Sequence, residues 1–192
     1  MRNFKLSLAV VAAMAIVLAV AATPARAESV WNGPTVTFTK ADYSDWTLPE
    51  NQDRITPNVW ITRQDSQQIY NIKIEAAPGG WETDSPKDTE WAWPGVGGNP
   101  LDPAQFTAAN YASLSFGHFD LCDGGSPSHS VNFPAVVHLI TDDIYLEVQF
   151  TSWTQGAGGG TPAGGGFSYT RSTAPPAVIT SFGLPGNPAT ID

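Results

Sequence analysis

Apolar and polar side chains alternate along much of the chain after residue 34, in short runs bounded by Gly, Pro, Asn and Asp. A period of two places successive side chains on opposite faces of a β-strand, so each run predicts a half-buried strand. No strand–helix–strand alternation accompanies these runs. The sequence therefore predicts an all-β fold, an antiparallel β-sandwich of jelly-roll type. About eight strands are expected, in the segments TVTFTKA, NVWITRQ, QQIYNIKIE, YASLSFGHF, AVVHLI, IYLEVQFTSW, GFSYTRS and AVITSF, the last with the weakest pattern.

One short helix is predicted where the segment DPAQFTAANYA begins. Asp102 suits the N-cap position, and Pro103 suits the first helical position, where its missing N–H would be unpaired in any case. Residues 76–103 precede it as a long stretch rich in Gly, Pro and Trp. A stretch of that length without a periodic pattern is typical of a functional loop or of a partly disordered one.

The N-terminus has the layout of a secretory signal peptide. A basic start precedes a long apolar run, and an A-R-A cleavage site ends at Ala27. The predicted organisation is a signal peptide over 1–27, a β-sandwich domain over 28–173 and a Pro- and Gly-rich tail over 174–192. The expected location of the protein is therefore secreted or periplasmic.

Removal of the signal peptide changes the charge of the chain. It takes away three of the nine basic residues and none of the 18 acidic ones, which leaves a net charge near −12. Such a surface repels phosphate backbones and anionic lipids, so nucleic acid and the membrane surface are excluded as expected partners. Neutral and cationic ligands remain. Cys122 is the sole cysteine, so no intrachain disulfide is expected.

The most regular segment of the sequence, HLITDDIYLEVQFTSW, carries two adjacent acids, Asp142 and Asp143, between two apolar runs. Two carboxylates in one place are compatible with catalysis or with metal binding. The alternating strands on either side favour a hairpin turn, because Asp hydrogen-bonds its own backbone and tolerates unusual φ angles. The prediction is a turn without catalytic duty, in which replacing both acids by Asn costs at most about 1 kcal/mol.

A second group of acids lies in the segment KADYSDWTLPENQDRIT. Calcium prefers six to eight hard oxygen ligands, and a bound cation would stabilise a secreted domain that lacks disulfides. Asp42, Asp45 and Asp53 are therefore predicted as ligands of a structural calcium ion. The alternative is a solvated loop whose acids form local turns. A second metal hypothesis groups His118, Asp120, Cys122 and His129 around zinc or copper, although their spacing matches no standard motif.

Three of the seven tryptophans lie in the predicted loop 76–103. Flat indole faces beside hydrogen-bonding groups suit the apolar faces and hydroxyls of sugars. Trp81, Trp91 and Trp93 are therefore predicted as a ligand-binding platform for polysaccharide. The alternative is that these indoles cap the sandwich as a satellite core.

Four blocks carry a resemblance to known proteins: TVTFTKADYSDWTLPENQDRITPNVWITR, SPKDTEWAW, HLITDDIYLEVQFTSW and GGGFSYTRS. Together they resemble a group of uncharacterised secreted bacterial β-rich proteins, over roughly residues 31–173. The resemblance implies secretion and a β-rich fold. It implies no activity and no site residues.

Function is predicted from these observations as that of a secreted, non-catalytic β-sandwich, an extracellular binding or matrix module for a neutral polysaccharide. The sequence has neither the G-x-S-x-G elbow of serine hydrolases nor the H-E-x-x-H motif of zinc hydrolases. Two alternatives stay open. One is a hydrolase that acts on an extracellular polymer through acids that the sequence does not identify, and the other is a purely structural component of the envelope or matrix.

Overall fold

The computed structural model describes residues 29–78, 85–122, 125–154 and 164–177. Within these ranges the chain forms nine β-strands: β1 Ser29–Trp31, β2 Val36–Lys40, β3 Asp53–Arg54, β4 Trp60–Arg63, β5 Ile69–Asn71, β6 Thr89–Ala92, β7 Pro134–Leu139, β8 Ile144–Trp153 and β9 Phe167–Arg171. Five short 3-10 turns connect them: Pro49–Asn51, Pro103–Gln105, Tyr111–Ser113, Phe119–Leu121 and Pro127–Ser130. Among the residues described, no helix has the length and apolar character needed to cross a bilayer.

The strands form two sheets. The large sheet has the order β2-β9-β8-β7-β6 with antiparallel neighbours, and the small sheet has the antiparallel order β3-β4-β5. Strand β1 runs parallel to β8 beside residues 144–146, next to the part of β8 that pairs with β9. The predicted all-β sandwich is confirmed, whereas its jelly-roll connectivity stays a prediction.

The main core lies between the two sheets. The small sheet contributes apolar side chains such as Ile61 and Ile69, which pack against alternate residues of β8, including Leu146 and Phe150. These positions are at most 3% exposed. The alternation read in the sequence of β8 is thus the pattern of a strand with its apolar face on this core.

The outer face of the large sheet is partly covered by the chain between β6 and β7. Phe106 and Tyr111 from this connection pack on Val136 and Tyr145 of the sheet and form a second, smaller core. Both faces of the large sheet therefore bury apolar surface. Only part of the outer face remains open to solvent.

Polar side chains join the two sheets inside the sandwich. Asp53 of β3 accepts hydrogen bonds from the Tyr169 hydroxyl and from two nitrogens of Arg171, both on β9. Arg63 of β4 is 1% exposed, lies 3.9 Å above the Trp153 ring centroid and donates to backbone carbonyls. Burial lowers the pKa of Arg63 to about 10, so its guanidinium stays charged at neutral pH.

The predicted helix is wrong in length. Asp102 caps the segment as expected, since its side chain accepts from the Ala104 N–H, but the turn ends after one 3-10 turn at Gln105. The side chain of Asn110 accepts from the Thr107 N–H and donates to the Gln105 carbonyl. These bonds take backbone groups that a continuing helix would use. No α-helix occurs in the portion of the chain that the structure describes.

Two strand assignments also differ from the prediction. The segment YASLSFGHF forms two 3-10 turns around an extended stretch, which pairs with β6 through a single bridge between Gly117 and Trp91, while Leu114 and Phe116 pack on the second core. Conversely, β6 lies within the predicted loop 76–103 and pairs with β7 along its whole length. The segment AVITSF lies outside the described residues from Val178 onward.

Candidate functional site

Two of the three tryptophans of the predicted platform are buried. Trp91 is 3% exposed and Trp93 is 1% exposed, and their rings stack with centroids 5.8 Å apart inside the main core. The reason is β6: pairing with β7 turns Thr89 and Trp91 toward the small sheet, and Trp93 follows with the same period. The prediction of displayed indoles is therefore wrong for these two residues. Trp81 lies outside the described residues.

The three predicted calcium ligands are each engaged by protein donors. Asp42 accepts from the Gly166 N–H, and Asp45 accepts from the backbone and side chain of Thr47. Those two bonds lower the pKa of Asp45. Asp53 is committed to the ion pair between the sheets. In the described ranges no three His, Cys, Asp or Glu side chains come close enough to hold a metal ion. Calcium binding therefore stays a prediction.

The four residues of the second metal hypothesis differ in burial. Asp120 and Cys122 point into the fold, with exposures of 6% and 0%, whereas His118 and His129 are exposed. The Cys122 thiol donates to the Ser126 carbonyl. These four side chains do not form a metal-binding group, since the described residues contain no group of three or more His, Cys, Asp or Glu side chains that could hold an ion.

Asp142 and Asp143 lie in the hairpin turn between β7 and β8, as predicted. Asp143 adopts φ +52°, a left-handed conformation that Asp tolerates. Asp142, however, is only 6% exposed and accepts hydrogen bonds from Thr56 at 2.5 Å and from Asn58 at 2.9 Å. The expectation that both acids are ordinary surface residues is therefore wrong for Asp142, which ties the hairpin tip to the small sheet.

His138, next to this turn, is held from three sides. Its ring stacks on Tyr145 with centroids 4.2 Å apart. Nδ1 lies 2.7 Å from a Glu90 carboxylate oxygen, and Nε2 lies 3.3 Å from a carboxylate oxygen of Asp143. These contacts fasten β6, β7 and the hairpin turn together. His138 is thus a paired structural residue.

A cleft of about 230 Å³ lies where the outer face of the large sheet emerges from under the β6–β7 connection. Its apolar wall comes from the connection and from β7: Pro103, Phe106, Pro134 and Val136. Its polar wall comes from β8, from β9 and the residue after it, and from the segment before β2: Thr35, Glu147, Gln149, Thr170 and Ser172. Concave sites with one apolar wall and a few polar groups are the usual form of ligand pockets.

Strand register orders the polar wall into rows. Gln149 of β8 pairs with Thr170 of β9, and Thr170 pairs with Thr37 of β2. Neighbouring strands lie about 4.8 Å apart, so each row presents hydrogen-bonding groups at that spacing across the sheet. In the next row, the backbone N–H of Glu147 donates to the Ser172 hydroxyl oxygen, 3.0 Å away.

Glu147 is the acid among the described residues that line this cleft. The buried Tyr111 hydroxyl donates a short hydrogen bond to its Oε1 atom. Burial, followed by the hydrogen bond and the charge of Glu147, raises the pKa of Tyr111 well above its usual value. The Tyr111 phenol therefore stays protonated and donates to Glu147. The Glu147 carboxylate has further lone pairs that can accept hydrogen bonds from a ligand. The arrangement holds one carboxylate in a fixed orientation at the solvent edge of the cleft.

The sequence carried a partial signal for this site. Glu147 and Gln149 are polar positions of the alternating run in β8, and Thr35 and Thr37 occupy the same phase before and within β2. What the alternation does not reveal is that these strands lie near one another with β9 between them. Comparison with protein-family models, with curated proteins and with solved structures finds no match to this chain.

Proposed function

We propose that the protein is an extracellular binding module that holds a neutral polysaccharide in the cleft on the outer face of the large sheet. The observation that carries the proposal is the composition of the cleft lining. Hydroxyl, amide and carboxylate groups of β8 and β9 suit sugar hydroxyls. The apolar side chains beside them, Phe106, Pro103 and Pro134, suit the apolar faces of sugar rings.

Charge favours a neutral ligand in this cleft. Glu147 brings a negative charge to the lining, and the whole chain carries a formal net charge of −9. Arg171 also contributes to the lining, but its guanidinium is paired with Asp53 at 2.6 Å. An anionic ligand would meet repulsion in the cleft, whereas neutral hydroxyls can donate to Glu147 and accept from Gln149.

The binding role is favoured over the hydrolytic one by the state of the carboxylate. Glycoside hydrolysis uses two acids held about 5 to 9 Å apart across the scissile bond. In the lining that the structure describes, Glu147 is already oriented by Tyr111. A fixed, hydrogen-bonded carboxylate suits the recognition of hydroxyl groups.

The experiment is a calorimetric and NMR titration of the chain from residue 28 onward with neutral oligosaccharides of several linkages. Because a few polar contacts in an open cleft give modest affinity, the expected dissociation constant is about 0.1 to 1 mM. Thr170→Val and Gln149→Ala should each weaken binding about fivefold to tenfold, the loss expected for one net hydrogen bond.

Thr151→Val is the matched control for Thr170→Val. Thr151 is exposed on β8 and lies outside the cleft, so loss of its hydroxyl should leave the affinity unchanged. Equal losses in the two Thr variants, or no binding of any neutral glycan, would contradict the proposal. Release of reducing ends during the titration would replace it with the hydrolase alternative.

A further inference from the structure

The basic residues of the described ranges fall into two groups. Three are buried or nearly buried inside the sandwich: Lys40, Arg63 and Arg171. The other three are exposed: Arg54, Lys73 and Lys87. All three exposed cations lie at the small sheet, since Arg54 ends β3, Lys73 follows β5, and the Lys87 carbonyl accepts a hydrogen bond from Asn71 of β5. On a chain with a net charge of −9, this concentrates the exposed positive charge on one side.

Two of these cations share one aromatic ring. Arg54 is the cross-strand partner of Trp60, and its guanidinium carbon lies 4.1 Å from the Trp60 ring centroid. The Lys73 ammonium lies 4.7 Å from the same centroid. The two charges are therefore at most about 9 Å apart, the sum of those distances, so neighbouring carboxylates of one polymer can contact both. The indole holds the cations in place without neutralising them.

The carboxylates on this side of the molecule are hydrogen-bonded to groups other than the exposed cations, and one of them, Asp88, lines the groove between Lys73 and the β7–β8 turn. Glu75 is 8% exposed and accepts from the backbone N–H groups of Asn71 and Lys87. Asp142 is buried beneath the hairpin turn. Asp88 accepts from the backbone and side chain of Thr141. These acids satisfy donors of the protein itself.

A groove of about 390 Å³ begins at Lys73 and runs between Ile74 and the hairpin tip at Ile140 and Thr141. Ile74 is 55% exposed and Ile140 is 49% exposed, so the groove offers apolar surface beside the cations. This combination suits a ligand whose repeating unit has both an apolar face and a carboxylate. A uronic acid residue of a polysaccharide has that chemistry.

We propose that this groove and the adjoining cations form a second binding surface, specific for a carboxylate-bearing polysaccharide. A uronate ring lies against Ile74 and Ile140 with its carboxylate on Lys73, and the carboxylate of a neighbouring uronate accepts from Arg54. Because Nε and Nη2 of Arg54 already donate to the side-chain oxygen of Gln52, the ligand carboxylate accepts from the remaining guanidinium donors. This surface is on the small sheet, so it is separate from the neutral-ligand cleft on the large sheet.

The test measures binding of the chain from residue 28 onward to polygalacturonate, dextran and poly-L-glutamate at 150 mM salt. Polygalacturonate should bind, and the two other polymers should bind at least about tenfold more weakly. Arg54→Gln and Lys73→Gln should each lower the affinity for polygalacturonate about fivefold or more, as expected for lost charge-assisted bonds.

Lys87→Gln is the matched control because it removes the same charge from an exposed residue that neither lines the groove nor lies over the Trp60 ring. It should lower the affinity less than about twofold. If Lys87→Gln lowered the affinity as much as Lys73→Gln does, the loss would be an effect of net charge alone, and the proposal would be overturned. Equal binding of poly-L-glutamate would overturn it in favour of an acidic protein partner.

Two further measurements keep the result unambiguous. Thermal melts of the Gln variants should match the wild type, because both side chains are exposed; if Arg54→Gln melts early, Lys73→Gln alone decides the outcome. Glu147→Gln should leave polygalacturonate binding intact. Failure of this surface is therefore distinguishable from failure of the cleft, and wild-type protein that does not bind polygalacturonate overturns the inference directly.

Discussion

Replacement of Asp142 by Ala tests whether the hairpin tip is fastened to the small sheet. Thr56 is 9% exposed, and its single hydroxyl proton goes to Asp142, while its oxygen accepts from two backbone N–H groups. Removal of the carboxylate leaves that hydroxyl without an acceptor, at a cost of about 1 to 3 kcal/mol. Asn58 is more exposed and can turn to water, so its bond adds little. We expect Asp142→Ala to lower the free energy of unfolding by about 2 to 3 kcal/mol.

Urea unfolding followed by tryptophan fluorescence and far-ultraviolet circular dichroism gives the free energy by linear extrapolation. Asp143→Asn is the control, because Asn also tolerates the left-handed conformation and the Asp143 side chain is 34% exposed. It should cost less than about 1 kcal/mol. In a double-mutant cycle, Thr56→Val and Asp142→Ala should couple by about 1 kcal/mol or more. Equal costs for the two Asp variants, or additive effects in the cycle, would refute the reasoning.

Two other predictions concern the core and alkaline pH. Trp93→Ala should lower the free energy of unfolding by about 3 to 5 kcal/mol, because it truncates a ring that is 1% exposed. A loss under about 1 kcal/mol in urea melts would contradict the burial of Trp93. Burial raises the pKa values of both Tyr111 and Tyr169, whose hydroxyls donate to carboxylates. The unfolded phenols ionise near pH 10 while the folded ones stay protonated, so this stabilisation is complete below pH 10 and is lost as pH rises toward the folded pKa values. Tyr111→Phe should make the fall in stability above pH 10 shallower by up to about 1.4 kcal/mol per pH unit, and an unchanged slope in a pH series of urea melts would contradict the assignment.

The tertiary structure decided the environment of the tryptophans. The segment TEWAW has a period of two, with Thr89, Trp91 and Trp93 in one phase, and that signal was available in the sequence. It was hidden because Ala92, in the opposite phase, is also buried, under the second core. In that phase only Glu90 is polar, and a strand of four residues with Gly- and Pro-rich flanks is too short a pattern to be told from a loop. Only the pairing of β6 with β7 shows which face each indole occupies.

Local pattern alone determined the strands with one covered face. The alternation in β2, β8 and β9 reflects apolar contact on one side and more polar surroundings on the other. The turn between β7 and β8 was found for the same reason, since Asp at unusual φ angles is a property of a few neighbouring residues. The sequence was sufficient wherever the deciding interactions lie within about ten residues of one another.

The candidate sites required the folded chain. The polar wall of the cleft joins Thr35, which is far from the others in the sequence, with Gln149 and Thr170, which meet through strand register. Asp142 meets Thr56 across 86 positions, and so an acid that looks like a turn residue is also a buried anchor. Composition gives the total charge of −9 but not the burial of half the basic residues beyond the predicted signal peptide. A one-dimensional pattern records that a residue is polar, whereas its partner is fixed by the packing of segments that the pattern does not relate.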